Sequence, residues 1–328
     1  MHFSKDALNL DPARETDRIV KFLQQNIRQT MRRGAVVGIS GGIDSAVVLG
    51  LAVRAFGPGK VVGIMMPDKD SDKLSEQLAR ELAKKFGIEP LLEDITGALE
   101  GFACYRRRDE AIARVFPEYD ARKGYKAKIV LPQDLLDNDT LNVFSVTIVR
   151  PDGSEENKPL PPREMLQIVA ATNLKQRSRM STLYYHAEAR QFAVIGTANK
   201  NEHAQGFFVK YGDGGVDIQP IAHLFKSQIY QLAKYLGVPE GIQQRTPTTD
   251  TYSAPQNQEE FFFRLPYHTL DLLWFAKEQN VPAPDVAKAM DLTETQVQRV
   301  FDDITRKIRT TDFLRLLPPM MDSSPAAA

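Results

Sequence analysis

Apolar side chains recur every fourth residue at Ile19, Leu23, Ile27 and Met31, the spacing of one helix face. Asp11 followed by Pro12 opens that helix, a capping side chain ahead of a proline at the first helical position. Residues 34–39 form a short apolar run that ends in glycines, which predicts a buried strand. Residues 45–56 read as helix, 60–66 as strand, 71–86 as helix and 90–95 as a third strand. Strands alternating with helices predict an α/β fold, a doubly wound and mostly parallel sheet with right-handed crossovers.

The pattern breaks over residues 97–162. A basic run, Arg106, Arg107 and Arg108, reads as a solvated face. Residues 143–150 are strand-like, Pro151-Asp152-Gly153-Ser154 is a turn, and 158–162 leave it, so a β-hairpin is expected. We read the segment as an insertion within one domain spanning residues 1–328. Regular alternation resumes with helices over 162–171 and 173–190, a strand over 192–196, and a helix over 225–236 closed by Gly237. Residues 266–317 look helical, with Trp274, Leu270, Leu273 and Phe275 as core or interface, and 318–328 form a loose tail.

Composition narrows the function. Lys plus Arg and Asp plus Glu are equal at 42 each, so no net cationic field exists to hold a polynucleotide. The single cysteine, Cys104, excludes an internal disulfide or a CxxC pair. Residues 1–10 are polar and charged where a signal peptide needs an apolar run, and no stretch approaches the ~18 apolar residues of a membrane span. The expectation is a soluble cytoplasmic protein without nucleic-acid or membrane partners. His186, His203 and His223 lack the spacing of a metal site and read as structural.

The candidate chemistry sits between the first strand and the next helix, in Gly38-Ile39-Ser40-Gly41-Gly42-Ile43-Asp44-Ser45. Glycines there permit a tight turn that brings N–H groups to a polyanion, and the helix adds its positive end. Ser40 and Ser45 add hydroxyl donors. The loop lacks the lysine of a Walker A motif and the spacing of a dinucleotide fingerprint. It carries Asp44 instead. A carboxylate beside a triphosphate repels it unless a cation lies between, and Mg2+ is the natural one. The plainer alternative is a glycine turn with Asp44 as a helix cap.

Ser40-Gly41-Gly42-Ile43-Asp44-Ser45 resembles the PP-loop of the N-type ATP pyrophosphatases, whose fold is adenine nucleotide alpha hydrolase-like. These enzymes split ATP between its α and β phosphates and adenylate a substrate. Three further runs resemble the NAD synthetase family within that superfamily. They are Asn173-Leu174-Lys175-Gln176-Arg177-Ser178-Arg179-Met180, then Gly196-Thr197-Ala198-Asn199-Lys200-Asn201-Glu202, then Gly206-Phe207-Phe208-Val209-Lys210-Tyr211-Gly212-Asp213-Gly214-Gly215-Val216-Asp217-Ile218-Gln219-Pro220, continuing through Leu224-Phe225-Lys226. The likeness covers residues 14–66 and 173–250.

The resemblance implies roles at matching positions. Asp44 and Glu202 would share Mg2+, with Glu202 at a strand end where α/β sheets place ligands. Residues 38–45, Thr197, Thr248 and Lys226 would bind ATP, with Asp44 and Lys226 at the catalytic centre. Arg177, Lys210 and Asp217 would hold deamido-NAD. Several have a plainer reading, while Lys210 and Asp217 flank a glycine-rich loop, where residues are more often functional. Glu202 could be a solvated carboxylate at a helix start, and Thr197 or Thr248 a helix cap. Lys226 could be a surface lysine, and Arg177 the decoration of an amphipathic helix.

The family activity so implied is ATP-dependent amidation of deamido-NAD to NAD by ammonia, through an adenylated intermediate, releasing AMP and pyrophosphate. The implied assembly is a homodimer using free ammonia or ammonia supplied by a separate glutaminase. One departure is the length of residues 97–162. A second is Phe313-Leu314, which stand where compact members place a His-Lys pair against the dinucleotide. This leaves two rivals: an amidoligase of the same fold acting on a different carboxylate, and a nucleotide-binding subunit without turnover.

Overall fold

The computed structural model describes residues 3–132, 135–137, 144–248 and 251–321. Helix α1 (Pro12–Gln29) starts as its capping pair predicts. The Asp11 carboxylate accepts the N–H groups of Ala13 and Arg14 at 3.0 and 3.1 Å. Ile19, Leu23 and Ile27 are buried. Met31 departs from the expected face: the helix ends before it, its φ is 53°, and its side chain is 79 % exposed.

Strand β1 (Ala35–Gly38) feeds helix α2 (Ile43–Phe56), followed by β2 (Val61–Met65) and α3 (Lys73–Lys85). Strand β3 is only Leu91–Leu92, shorter than the expected 90–95. Asp94 stops it by turning its carboxylate onto the Thr96 N–H at 2.8 Å, where α4 (Thr96–Gly101) begins. Helix α5 (Cys104–Val115) and strand β4 (Lys126–Val130) come next, then β5 (Ser145–Val149) and β6 (Glu155–Pro159). Helix α6 (Pro162–Glu188) is one continuous helix where two were expected. Thr172, at the anticipated break, returns its hydroxyl to Ile168 O at 2.9 Å, which satisfies it without ending the helix.

Strand β7 (Ala193–Ile195) precedes α7 (Lys200–Gln205) and α8 (Lys226–Leu236), which Gly237 closes with a φ of 69°. After α9 (Glu240–Gln243), the C-terminal part carries α10 (Tyr267–Glu278), α11 (Ala283–Met290) and α12 (Glu294–Thr310). Trp274 belongs to that core, 2 % exposed and edge-on to Phe225. Of the tail, residues 322–328 lie outside the described residues, as does Val143 at the start of the expected hairpin.

The central sheet is fully parallel in the order β3-β2-β1-β7, with α2 and α6 on opposite faces. The chain winds outward from β1 to β3 and then returns to the other side of β1 at β7. That reversal makes the C-terminal ends of β1 and β7 the switch point of the sheet, where open α/β folds form ligand crevices. Strands β4, β5 and β6 form a separate antiparallel sheet. Its buried Ala127, Ile129, Val146 and Ile148 pack with Ile112, Phe116 and Ile168. Among the described residues no helix is long and apolar enough to cross a membrane.

Candidate active site

The glycine loop leaves β1 at the switch point. Gly41 has a φ of +73°, and a Cβ there would lie 2.5 Å from Ser75 O, so this turn against α3 needs glycine. Ser45 closes the loop by donating its hydroxyl to Gly42 O at 2.9 Å, with Ser40 Oγ 3.2 Å away. Gly42 is the N-cap of α2, and Asp44 lies in its first turn. Asp44 therefore does not cap the helix.

The second half of the site follows β7. Asn199 caps α7: its side chain accepts the Glu202 N–H at 3.0 Å, while Glu202 Oε2 accepts the Asn199 N–H at 3.1 Å. This reciprocal box fixes both side chains. The free amide hydrogens of Asn199 reach Asp44 Oδ1 at 2.9 Å. Lys226, first residue of α8, is fully buried and bonds Asp44 Oδ2. It is no surface lysine.

A ring of contacts closes behind these groups. The Lys226 ammonium lies 5.2 Å from the centroid of the Tyr267 ring. The Tyr267 hydroxyl bonds Gln258 Oε1, and Gln258 Nε2 donates to Glu202 Oε1 at 3.2 Å. Burial, then the neighbouring Asp44 carboxylate, pushes Glu202 up to about 8. Burial alone would lower Lys226, but Asp44 and then Glu202 outweigh it and hold the ammonium charged. Without a further cation, two carboxyls facing one buried ammonium favour the protonated form of Glu202; a divalent cation between them would hold both as carboxylates.

The donor set suits Mg2+. Among the described residues no group of three or more His, Cys, Asp or Glu side chains gathers as a protein-only metal cage. Mg2+ rarely uses such cages; it takes one or two carboxylates and completes its octahedron with phosphate oxygens and water. Asp44 and Glu202 would be the residues to hold it.

The loop and α7 line a cavity of about 1150 Å³, large enough for a nucleotide and a second substrate. Gly38, Ile39, Ser40, Gly42, Ile43, Asp44 and Ser45 line it, with Glu202, Thr197 and Thr248. Thr248 Oγ1 accepts from Arg245 at 3.4 Å. Ile129 and Phe144, from residues 97–162, also line the cavity, with Met165, Val169 and Phe261.

The three candidates for the dinucleotide separate. Arg177 lines the cavity, is exposed, and donates to Lys210 O at 3.4 Å. Lys210 Nζ donates to Phe313 O and Leu316 O, both at 2.9 Å, and so holds the C-terminal turn whose Phe313 and Leu314 also line the cavity. Asp217 is outside the lining. Its carboxylate accepts from the Tyr184 hydroxyl at 2.9 Å and the Val194 N–H at 2.8 Å, tying its loop to β7.

Other groups were not legible as site residues. Asn199 could have been noticed from the Asn-x-x-Glu spacing of a capping box. Gln258, Tyr267 and Asp271 carry no such signal, because they meet the site only in three dimensions. Arg108 corrects the solvated reading of the basic run. It is 2 % exposed and pairs with Asp70 at 2.5 Å, while Arg106 is exposed beside Glu110. Lys175 bridges Asp68 and Asp70 at 3.0 and 2.8 Å, and Arg179 meets Asp68 at 3.1 Å. This buried network binds α5 and α6 to the loop after β2. The histidines are structural: His186 pairs with Glu93, His223 with Glu15, and His203 stacks on Phe208.

Comparison with known proteins identifies the family. The NAD synthase family model matches residues 15–116 and 109–318, a span that includes residues 97–162. The NH(3)-dependent NAD(+) synthetase of Rhizobium meliloti is 47 % identical over 97 % of this chain and 95 % of its own length. That of Mesorhizobium japonicum is 49 % identical over 95 % and 97 %. Among solved structures, the NH3-dependent NAD synthetase of Campylobacter jejuni superposes with a TM-score of 0.61 at 23 % identity, over 95 % of this chain and 100 % of that one. An NMN synthetase from Francisella tularensis superposes equally well, with a TM-score of 0.60 at 23 % identity over 96 % and 100 %, so these superpositions speak for the fold alone. The family match and the identity to its curated members extend over nearly the whole length, and on that ground the chain belongs to the NAD synthase family.

Proposed function

We propose that the chain is an ammonia-dependent NAD synthetase, a ligase that converts deamido-NAD to NAD at the expense of ATP. One observation carries the site assignment. Asp44 from the β1 turn meets Asn199 from the β7 turn and Lys226 from α8 at the switch point of the sheet. A glycine loop with this acid and this buried lysine suits a triphosphate whose α-phosphorus is attacked while its outer phosphates are held.

The first step joins a carboxylate oxygen of deamido-NAD to the α-phosphorus of ATP and breaks the bond to pyrophosphate. The glycine loop and the amino end of α2 hold the phosphates, with Thr197 and Thr248 against the nucleotide. Lys226 offsets charge on the leaving pyrophosphate. Asp44 and Glu202 would hold Mg2+, which supplies charge neutralisation when bound. Ammonia then attacks the acyl carbon, AMP leaves with the C–O bonding pair, and the nitrogen sheds a proton to give the amide. Positioning and electrostatics dominate, because no side chain forms a covalent bond.

Arg177 and Lys210 line the cavity and are read as contacts of the dinucleotide. Asp217 reaches it only if its loop or a second copy of the chain completes the site. The family resemblance supports a homodimer, a cytoplasmic location, and free ammonia or a separate glutaminase as the nitrogen source. Sedimentation of the purified chain tests the dimer.

The deciding assay incubates enzyme, ATP, Mg2+, ammonia and deamido-NAD, and quantifies AMP, pyrophosphate and NAD. Equal amounts of all three support the reading, and ATP binding with no pyrophosphate under any acid would favour a nucleotide-binding subunit. A second reading, a different carboxylate, is favoured by Phe313 and Leu314 in the cavity wall. A panel of acids compared by kcat/KM for AMP release separates the two.

A further inference from the structure

Asp271 lies on α10, in the C-terminal helical part, and is 0 % exposed. Its Oδ1 accepts from Asn201 Nδ2 at 2.6 Å. Its Oδ2 accepts the Ser227 N–H at 2.7 Å and also the Ser227 hydroxyl. Asn201 in turn offers Oδ1 to the Lys226 N–H at 3.2 Å. Asn201 and Glu202 are neighbours on α7; Lys226 and Ser227 are the first residues of α8. One buried carboxylate therefore joins the beginnings of the two helices that present the acid and the cation of the site.

A carboxylate is an expensive way to fill a core, because burial removes its hydration. Three donors and the positive end of α8 offset that loss here. An apolar residue could pack α10 against α8, but it could not set the register of α7 relative to α8. We propose that Asp271 is a positioning residue for the adenylation step, holding Lys226 and Glu202 in fixed relation without touching a substrate. The inference rests on the roles given above to those two residues. The pair is useful only if ammonium and carboxylate face the phosphates from fixed points, and a misplacement of about 1 Å far from the chemistry can cost roughly 100-fold in rate.

The test is kinetic and uses the full chain. In Asp271→Asn the side-chain amide keeps the shape but points a donor at a donor. Its kcat should fall about 100-fold, with KM for deamido-NAD within about twofold of the parent. The thermal shift induced by ATP with Mg2+ should shrink, a readout that needs no acid substrate. In a Lys226→Ala background the same change should lower kcat by less than about twofold, because its effect passes through Lys226. Combining Asn201→Asp with Asp271→Asn returns the carboxylate to the other side of the bond and should recover at least about tenfold. Ser227→Ala, which removes one donor only, should show a smaller loss with the same pattern should Asp271→Asn fail to fold. Equal losses in both backgrounds, or an unchanged kcat and thermal shift in folded variants, would overturn the proposal. An inactive parent enzyme that still responds to ATP would instead count against the substrate assignment, and the thermal shifts would still decide the role of Asp271.

Discussion

The side-chain amide of Asn199 donates to Asp44 Oδ1 over 2.9 Å, joining the turn after β1 to the turn after β7. Two loops separated by more than a hundred residues of chain thus share one bond at the switch point. A hydrogen bond to a charged group is worth roughly 1.5–3 kcal/mol, equivalent to about 10–100-fold in rate. Asn199→Ser keeps an acceptor for the Glu202 N–H but is too short to reach Asp44. We expect its kcat/KM for ATP to fall by that factor while its melting temperature stays within a few degrees. Initial rates across an ATP series measure it, and a wild-type value would show that Asn199 does not orient Asp44.

Asp44 has two partners of different kinds, an amide and a buried ammonium. Asp44→Asn should lower kcat by about 1,000-fold or more, by removal of charge at the phosphates. It also leaves the Lys226 ammonium with Glu202 as its remaining acidic neighbour, and breaking a buried pair costs about 3–5 kcal/mol. Adding Lys226→Met removes the stranded cation. The double variant should therefore melt higher than Asp44→Asn alone and remain inactive. Thermal melts and AMP release on the same samples check both halves. A double variant that regains turnover would remove both residues from the catalytic centre.

Of the three consecutive arginines 106–108, the first two are exposed and the third is buried, and the difference is measurable. Arg108 is buried against Asp70, and Lys175 meets the same carboxylate oxygen. Arg108→Met strands part of the acidic charge and should cost about 3–5 kcal/mol. Arg106→Met breaks only an exposed pair with Glu110 and should change stability by less than about 0.5 kcal/mol. Urea titrations of the two variants compare them directly.

The same arginines show where the sequence stops being informative. The sheet and the glycine loop were readable because local patterns dictate them: an apolar run, a turn that only glycine permits, a helix start. Strand β4 was not readable, since Lys126-Ala127-Lys128-Ile129-Val130 buries only Ala127 and Ile129 and gives too short an alternation. Arg108 looked solvated because Asp70, the carboxylate that it is buried against, lies 38 residues away, although a second partner, Asp109, is its neighbour. Lys226 could be placed by likeness to a family, yet its burial depends on α10, which contributes Asp271 and leaves no mark near residue 226. Asp217 matched a motif, but its carboxylate is engaged by Tyr184 and Val194, a pairing set by the register of β7 with α6.

Asp213 gives the fold a pH dependence that can be isolated. Burial pushes its carboxyl up to about 6, against 3.8 ordinarily, and the bond it accepts from the Val209 N–H only partly opposes this. Between those two values the folded chain holds a proton that the unfolded chain releases. Stability from this group is therefore present below pH 3.8 and is lost as pH rises through about 6. Asp213→Asn retains a carbonyl for the Val209 N–H and cannot ionise. Its melting temperature should fall less than the parent's, or rise relative to it, as pH is raised from about 4 to 7. Parallel melts in matched buffers measure the difference. A constant offset between the two curves across that range would mean that Asp213 ionises in the folded chain as it does in the unfolded one.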